Sequence, residues 1–75
     1  MKKIINFHIT FGDKYYVAEC MDLPIVTQGI TLDETMANIK EALYLHLEDE
    51  DLASIGIMPN PAISVNIDLG EYVYA

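Results

Sequence analysis

The chain has 75 residues, no arginine, and a net charge of −8 from 12 acidic residues and 4 lysines. This length allows one domain, residues 1–75, and a hydrophobic fraction of 52% fits a folded protein better than a disordered chain. An anionic surface without arginine argues against direct binding of DNA or RNA and suits a basic protein partner, although plain solubility explains the charge equally well.

The single cysteine and the N-terminal residues bear on disulfides, zinc sites and cellular location. Cys20 is the one cysteine, which excludes an internal disulfide, and no zinc-ligand spacing surrounds it. After Met1–Lys3 there is no long apolar run, so we expect neither a signal peptide nor a membrane span. A cytoplasmic location is the default expectation.

Two alternating segments predict a β-hairpin. Residues Lys3–Phe11 and Tyr15–Cys20 alternate with a period of two and flank Gly12-Asp13, a typical turn. A two-residue loop places Phe11 opposite Lys14 and Ile9 opposite Tyr16, with Tyr16, Ala18 and Cys20 on the core face. A three-residue loop would bury Glu19, which is costly, so we prefer the shorter one.

The middle of the chain predicts a third strand and a helix. Pro24 marks a loop and Ile25–Ile30 a short strand. Thr31 and Glu34 form a capping-box pattern that begins a helix ending near Glu48 or Asp49, where acidic residues meet the negative end of the helix dipole. One apolar stripe follows helical spacing: Leu32, Met36, Ile39, Leu43 and Leu47.

The last third predicts a loop and a strand. Gly56, Pro59 and Pro61 indicate the loop, and Ala62–Leu69 alternates again. Tyr72–Tyr74 extends that strand or forms a further edge strand. The predicted fold is therefore α+β with the order β-β-β-α-β, an antiparallel sheet with one helix packed on one face.

No motif for catalysis, phosphate binding or metal binding is present, so we expect a protein that is not an enzyme and has no cofactor. Cys20 is predicted to be buried and inert. His8 is expected on the outer sheet face, as a half-exposed residue or a pH-sensitive contact, and His46 beside the apolar stripe with a structural role rather than as a metal ligand. The run Glu48–Asp51 lacks the spaced ligands and central glycine of a calcium loop.

Two surface features suggest association. The sheet face away from the helix carries Ile4, His8, Tyr15 and Val17. These residues predict a homodimer, a higher oligomer or a contact with a partner, unless Tyr72 or Tyr74 covers that face. Leu45 is predicted on the outer side of the helix between Glu41 and Glu48. An isolated exposed leucine is also common and needs no partner.

Five segments in order resemble the N-terminal domain of HicB-type antitoxins. They are Tyr16-Val17-Ala18, Asp22-Leu23-Pro24, Thr27-Gln28-Gly29, Thr31-Leu32-Asp33-Glu34 and Ala37-Asn38-Ile39-Lys40-Glu41-Ala42-Leu43. The similarity covers most of the chain from Gly12 to Leu47. Met21, Ile25 and Thr35 depart from the family pattern, which often has proline, glycine and alanine there.

The resemblance implies a partial RNase H-like fold and binding of a HicA-type toxin, a small basic ribonuclease that cleaves mRNA. Family members often carry a C-terminal DNA-binding domain, which we do not expect here, because the chain ends at Ala75 after the last strand. The RNase H-like fold does not imply nuclease activity, since the predicted core strands lack converging carboxylates.

The predicted toxin contacts lie in three segments. They are the loop Asp22, Leu23 and Pro24, the strand residues Thr27 and Gln28, and the helix residues Glu41, Leu45 and Glu48. The alternative hypothesis is an orphan, stand-alone HicB-like oligomer with a regulatory or ligand-binding role and no toxin partner.

Overall fold

A computed structural model describes residues 2–71 of the chain, apart from the side chain of Lys2. The elements are β1 (Lys2–Phe11), β2 (Tyr16–Cys20), β3 (Val26–Gly29), α1 (Leu32–Leu47) and β4 (Ile57–Ile67). The order β-β-β-α-β and the helix packed on one side of the sheet confirm the predicted α+β layout. The Tyr72–Tyr74 segment lies outside the described residues.

The four strands form one sheet in the order β3-β2-β1-β4. β1 pairs antiparallel with β2, and β2 with β3, whereas β4 runs parallel to β1. The sheet is therefore mixed, and the prediction of an antiparallel sheet was wrong for this last strand. The helix between β3 and β4 carries the chain back to the end of the sheet where β1 and β3 begin. β4 therefore runs in the same direction as β1 and β3 and pairs with the free side of β1.

The β1–β2 connection is longer than predicted. Phe11 pairs with Tyr16 and Ile9 with Ala18, and Gly12 N donates to Tyr15 O at 2.8 Å across a four-residue loop. The predicted register was wrong by two residues, and Tyr15 lies in the loop. Because a shift of two preserves the face, Ala18 and Cys20 are nevertheless buried and Glu19 is exposed, as predicted.

β4 begins five residues earlier than predicted, at Ile57. Pro59 and Pro61 are tolerated because β4 is an edge strand, where one row of N–H groups faces away from the sheet. Asn60 has a φ of 53°, and the pairing shifts from Lys2–Ile57 to Ile4–Ala62. The extra β4 residues in this interval form an irregularity rather than the predicted loop.

The core lies between α1 and the sheet. β1 contributes the centre of it, with Ile5, Phe7 and Ile9 fully buried. The predicted helix stripe is confirmed for Ile39 and Leu43, while Leu32, Met36 and Leu47 are half-buried. The remaining buried hydrophobic residues are Ala18, Cys20, Ile25 and Ile57.

Thr35 is the helix residue that the apolar stripe did not predict. It is 0% exposed, and its hydroxyl donates to Thr31 O at 2.7 Å, which satisfies the buried oxygen. A Cβ on Gly29 would lie 2.5 Å from Thr35 Oγ1. α1 and β3 therefore approach so closely that only glycine fits at position 29.

Candidate partner-binding surface

One line of side chains along α1 and its C-cap passes beside β3, where Asn38, Glu41 and Leu45 line a cleft with Thr27. Glu34, Asn38, Glu41, Leu45 and Glu48 follow each other at alternating intervals of four and three residues, which places them along one helix face. We call these five residues the acidic stripe. All are exposed except Asn38, which is half-buried.

The acidic stripe starts from a well-defined helix end. Thr31 is the N-cap, and its Oγ1 accepts a hydrogen bond from Glu34 N at 3.1 Å. This bond confirms the predicted cap and stabilises the first turn, where Asp33 and Glu34 also favour the helix dipole. The first turn of α1, which carries Glu34 at the N-terminal end of the stripe, therefore has a well-defined start.

Asn38 joins the acidic stripe to β3. Its Nδ2 donates to Gln28 O at 2.7 Å. Cys20 N donates to Ile25 O, so these two residues form a hydrogen-bonded pair between β2 and β3. In an antiparallel ladder every second residue bonds to the neighbouring strand, so Thr27 and Gly29 also bond to β2. The backbone groups of Val26 and Gln28 point the other way, to the open edge. Asn38 thus occupies one acceptor of an otherwise unpaired strand edge.

A shallow cleft separates β3 from the middle of the stripe. It encloses about 260 Å³ and is lined by Thr27, Asn38, Glu41, Ala42 and Leu45. Three of the predicted contact residues, Thr27, Glu41 and Leu45, therefore meet in one place. Leu45 is 61% exposed, which makes it an apolar point among carboxylates. Asn38 and Ala42 were not predicted, although their helical spacing from Glu41 and Leu45 was the available signal.

The predicted loop residues lie towards the far end of the same surface. α1 runs antiparallel to β3, because later helix residues contact earlier strand residues. The contacts pair Gly29 with Thr35, Gln28 with Asn38, and Thr27 with the neighbourhood of Leu45. The C-terminal end of α1, including Glu48, is consequently at the same end of the sheet as the loop before β3. Gln28 is exposed on the opposite sheet face, and its backbone rather than its side chain belongs to this surface.

Within that loop, the three predicted residues differ in their surroundings. Asp22 is half-buried, and its Oδ2 accepts from Asn6 N at 2.7 Å and lies 3.5 Å from Asn6 Nδ2. Leu23 packs against the core, and Pro24 is exposed. The structure gives Asp22 and Leu23 roles in holding the loop to the sheet and leaves Pro24 as the accessible residue.

The carboxylates are distributed unevenly and face the solvent. Every acidic residue except Asp22 is exposed. All four lysines precede residue 41, so the chain from Glu41 onwards carries seven acidic residues and no lysine or arginine. The C-terminal part of the acidic stripe and the adjacent Glu48–Asp51 run therefore form the most negative part of the sequence.

The predicted oligomer face is the sheet surface away from α1. Ile4, His8 and Val17 share this open face, with His8 paired to Glu19 and beside Asn66. Ile4 is 48% exposed, while His8 and Val17 are half-buried. Tyr15 lies in the hairpin loop beside Val17 rather than in a strand. The apolar residues on this face are thus interrupted by polar ones.

Three further features of the described residues concern metal sites, the free thiol and membrane spans. Residues 2–71 contain no group of three or more His, Cys, Asp or Glu side chains that is arranged to hold a metal ion. Cys20 is a buried free thiol. None of the helices in this part of the chain is long and apolar enough to cross a membrane.

The fold and this surface define a small α+β protein with an acidic helix beside an open strand edge. Comparison with known proteins adds nothing to that description, because no family model, curated protein or solved structure matches the chain.

Proposed function

We propose that this chain is an antitoxin-like protein that binds and neutralises a small basic HicA-type toxin in the cytoplasm, without catalytic activity of its own. The sequence resemblance suggests the kind of partner, and the acidic stripe supports the place where it binds. The observation that carries the proposal is a row of exposed carboxylates beside an open strand edge. The C-terminal half of this row, from Glu41 onwards, lies in a part of the chain without lysine or arginine.

Charge gives this surface a physical reason to attract such a toxin. A protein that binds RNA presents lysines and arginines to the phosphates, and a negative surface of similar reach competes for the same groups. Complementary charges accelerate the encounter of the two proteins and disfavour partners of the wrong sign. Glu41 and Glu48 are the stripe residues best placed for this role, because both flank Leu45.

Leu45 and the β3 edge supply the uncharged part of the proposed contact. Interfaces commonly combine an apolar anchor with a polar rim, and Leu45 has that arrangement between Glu41 and Glu48. The backbone groups of Val26 at the open edge are available to an extended segment of the toxin, which is a known mode of strand addition. Pro24, exposed at the end of β3, extends the same surface.

The test is binding to a HicA-type toxin, used as a ribonuclease-inactive variant, with any short basic reading frame beside this gene as the first candidate. Glu41→Lys with Glu48→Lys should weaken the complex about 10- to 100-fold, because attraction at two positions becomes repulsion. The measurement is Kd by calorimetry, together with growth rescue on co-expression with the active toxin.

The matched control is Asp13→Lys with Glu19→Lys. It makes the same change in net charge at exposed positions in the hairpin loop and on the open face. Equal affinity of the two double variants would remove the acidic stripe from the interface. Absence of rescue and of co-purification with the wild-type chain would reject the antitoxin proposal and favour the stand-alone oligomer.

A further inference from the structure

The second edge of the sheet, β4, is long and uncharged. β4 spans 11 residues, Ile57–Ile67, and the sequence has no charged residue between Asp51 and Asp68, although the chain carries a net charge of −8. Edge strands usually avoid unwanted pairing through charged side chains, bulges or prolines. On β4 such protection is confined to Pro59–Pro61, and the rest of the strand has none.

The backbone groups at this edge belong to three residues. Asp68 N donates to Ile9 O at 2.8 Å, and Ile67 is the residue that pairs with Ile9. In a parallel ladder, Asn66 and Asp68 therefore turn their backbone groups to β1, and Ile67 turns its groups outward. By alternation, Ile63 and Val65 also direct their N–H and C=O groups to the open edge, and Pro61 ends this row because it has no N–H.

The same three residues form an incompletely covered apolar row. Ile63, Val65 and Ile67 lie on the helix side of the sheet and are half-buried. α1 approaches the backbones of β3 and β2 closely, but not those of β1 and β4 in the described part of the chain. α1 therefore covers the apolar row of β4 less closely than it covers the β2 and β3 side of the sheet.

We propose that β4 pairs antiparallel with β4 of a second copy of this chain, about a two-fold axis at Val65. In this register Ile63 lies opposite Ile67 of the second copy and Val65 opposite its equivalent. All three outward-facing residues then form hydrogen-bonded pairs, and the apolar rows of the two copies meet. The result is a continuous eight-stranded sheet with both helices on one face.

The two neighbouring registers leave part of the outward-facing row without a hydrogen-bonding partner in β4. An axis at Ser64 places Ile67 opposite Pro61, which lacks a donor. An axis at Asn66 places Ile63 opposite Leu69, beyond the end of β4. The axis at Val65 is the one that pairs the complete row within the strand.

The chemistry of the edge favours a second copy over a basic partner. A neutral strand offers nothing specific to lysines or arginines, whereas its sequence is self-complementary about Val65, as a two-fold interface requires. The neutral stretch also lets two molecules of charge −8 meet where neither carries a carboxylate. This inference is independent of the proposed toxin.

The test exploits the other side chains of β4. Ser64 and Asn66 are exposed on the open face, and the proposed register places Ser64 opposite Asn66 of the second copy. S64E/N66E and S64K/N66K should each raise the dimer Kd roughly 3- to 30-fold, because like charges meet at two positions. S64K/N66E should keep the wild-type Kd, since each lysine then faces a glutamate. The measurement is sedimentation equilibrium.

Three results would overturn the proposal. A wild-type monomer at high micromolar concentration excludes the dimer, including the case in which residues 72–75 cover the edge. Equal weakening in all three double variants excludes the register at Val65. Dissociation caused by Val17→Lys, two strands away from β4, would assign the dimer to the open face instead.

Amide exchange gives a second readout that does not depend on variants. The amides of Ile63, Val65 and Ile67 should become protected as protein concentration rises, because they gain partners only in the dimer. The amides of Ser64 and Asn66 bond to β1 and should be protected at every concentration. Protection of all five that does not change with concentration would contradict the proposal.

Discussion

The two edges of this sheet are protected in different ways. β3 has four residues, lies against α1, and has one of its outward carbonyls bonded to Asn38, with carboxylates alongside. β4 has 11 residues, no charge, and protection only at Pro59–Pro61. The two strand edges of this small domain therefore differ in covering and charge, and the partners proposed for them differ accordingly: a basic surface at β3 and a second copy of the neutral strand at β4.

The contact between α1 and β3 is where we expect the largest effect. Gly29→Ala would place a Cβ 2.5 Å from Thr35 Oγ1 and 2.7 Å from Thr35 N, so the helix backbone must move. We expect a loss of about 2–3 kcal/mol in unfolding free energy and a fall in Tm of roughly 8–20 °C. Thermal and denaturant unfolding measure both.

Gly12→Ala is the control for that substitution. Its Cβ would meet Tyr15 O at 3.7 Å, an ordinary contact, so stability should change by less than about 0.5 kcal/mol. Equal losses at the two glycines would mean that α1 does not depend on the close approach at Gly29, and the β3 edge would be less firmly covered than the geometry indicates.

The loop leading into β3 should show an intermediate effect. Asp22→Ala removes the acceptor of the 2.7 Å bond from Asn6 N and should cost about 1–3 kcal/mol in unfolding free energy. Asp22→Asn retains an acceptor oxygen and should cost less. Denaturant unfolding checks both, with exposed Asp13→Ala as the control. If Asp22→Ala is as stable as the control but binds toxin poorly, the residue contacts the partner directly.

The smallest effect is expected at β4. Pro61→Ala should lower unfolding free energy by only about 0.4–1 kcal/mol, through the greater freedom of the unfolded chain. In the proposed register position 61 lies opposite Leu69 of the second copy, beyond the end of β4, so the added donor gains no strand partner and the dimer Kd should not change. Pro24→Ala, in an exposed loop, should match the loss in stability without changing self-association. Sedimentation of both variants would reveal whether Pro61 limits the edge.

Prediction from the sequence succeeded where periodicity carries the information. Ile5, Phe7 and Ile9 alternate clearly, and Ile39 and Leu43 fall on one helix face, so the core and the order of elements were recovered. The β1–β2 register failed because turn residues at Gly12-Asp13 suit loops of several lengths. The start of β4 failed because Pro59 and Pro61 disfavour a strand unless it is known to be an edge, which depends on the tertiary pairing.

The candidate surface was only partly predictable for a similar reason. Glu41, Leu45 and Glu48 were identified from helical spacing, which is local. The bond from Asn38 to Gln28 O and the burial of Thr35 against Gly29 depend on how the helix lies over β3. Asp22 seemed a surface residue in the sequence, whereas its carboxylate bonds to Asn6, 16 residues away along the chain.

The Asn38 amide on Gln28 O also bears on how large an assembly can grow. If β3 were as open as β4, the β4 strand of one molecule would pair with β3 of the next, and repetition of that contact would build an endless fibre. A short β3 with an occupied carbonyl disfavours this head-to-tail contact, while pairing of β4 with its own equivalent uses up the remaining edge. In the proposed dimer, the side chain of Asn38 therefore helps to limit the assembly to two copies.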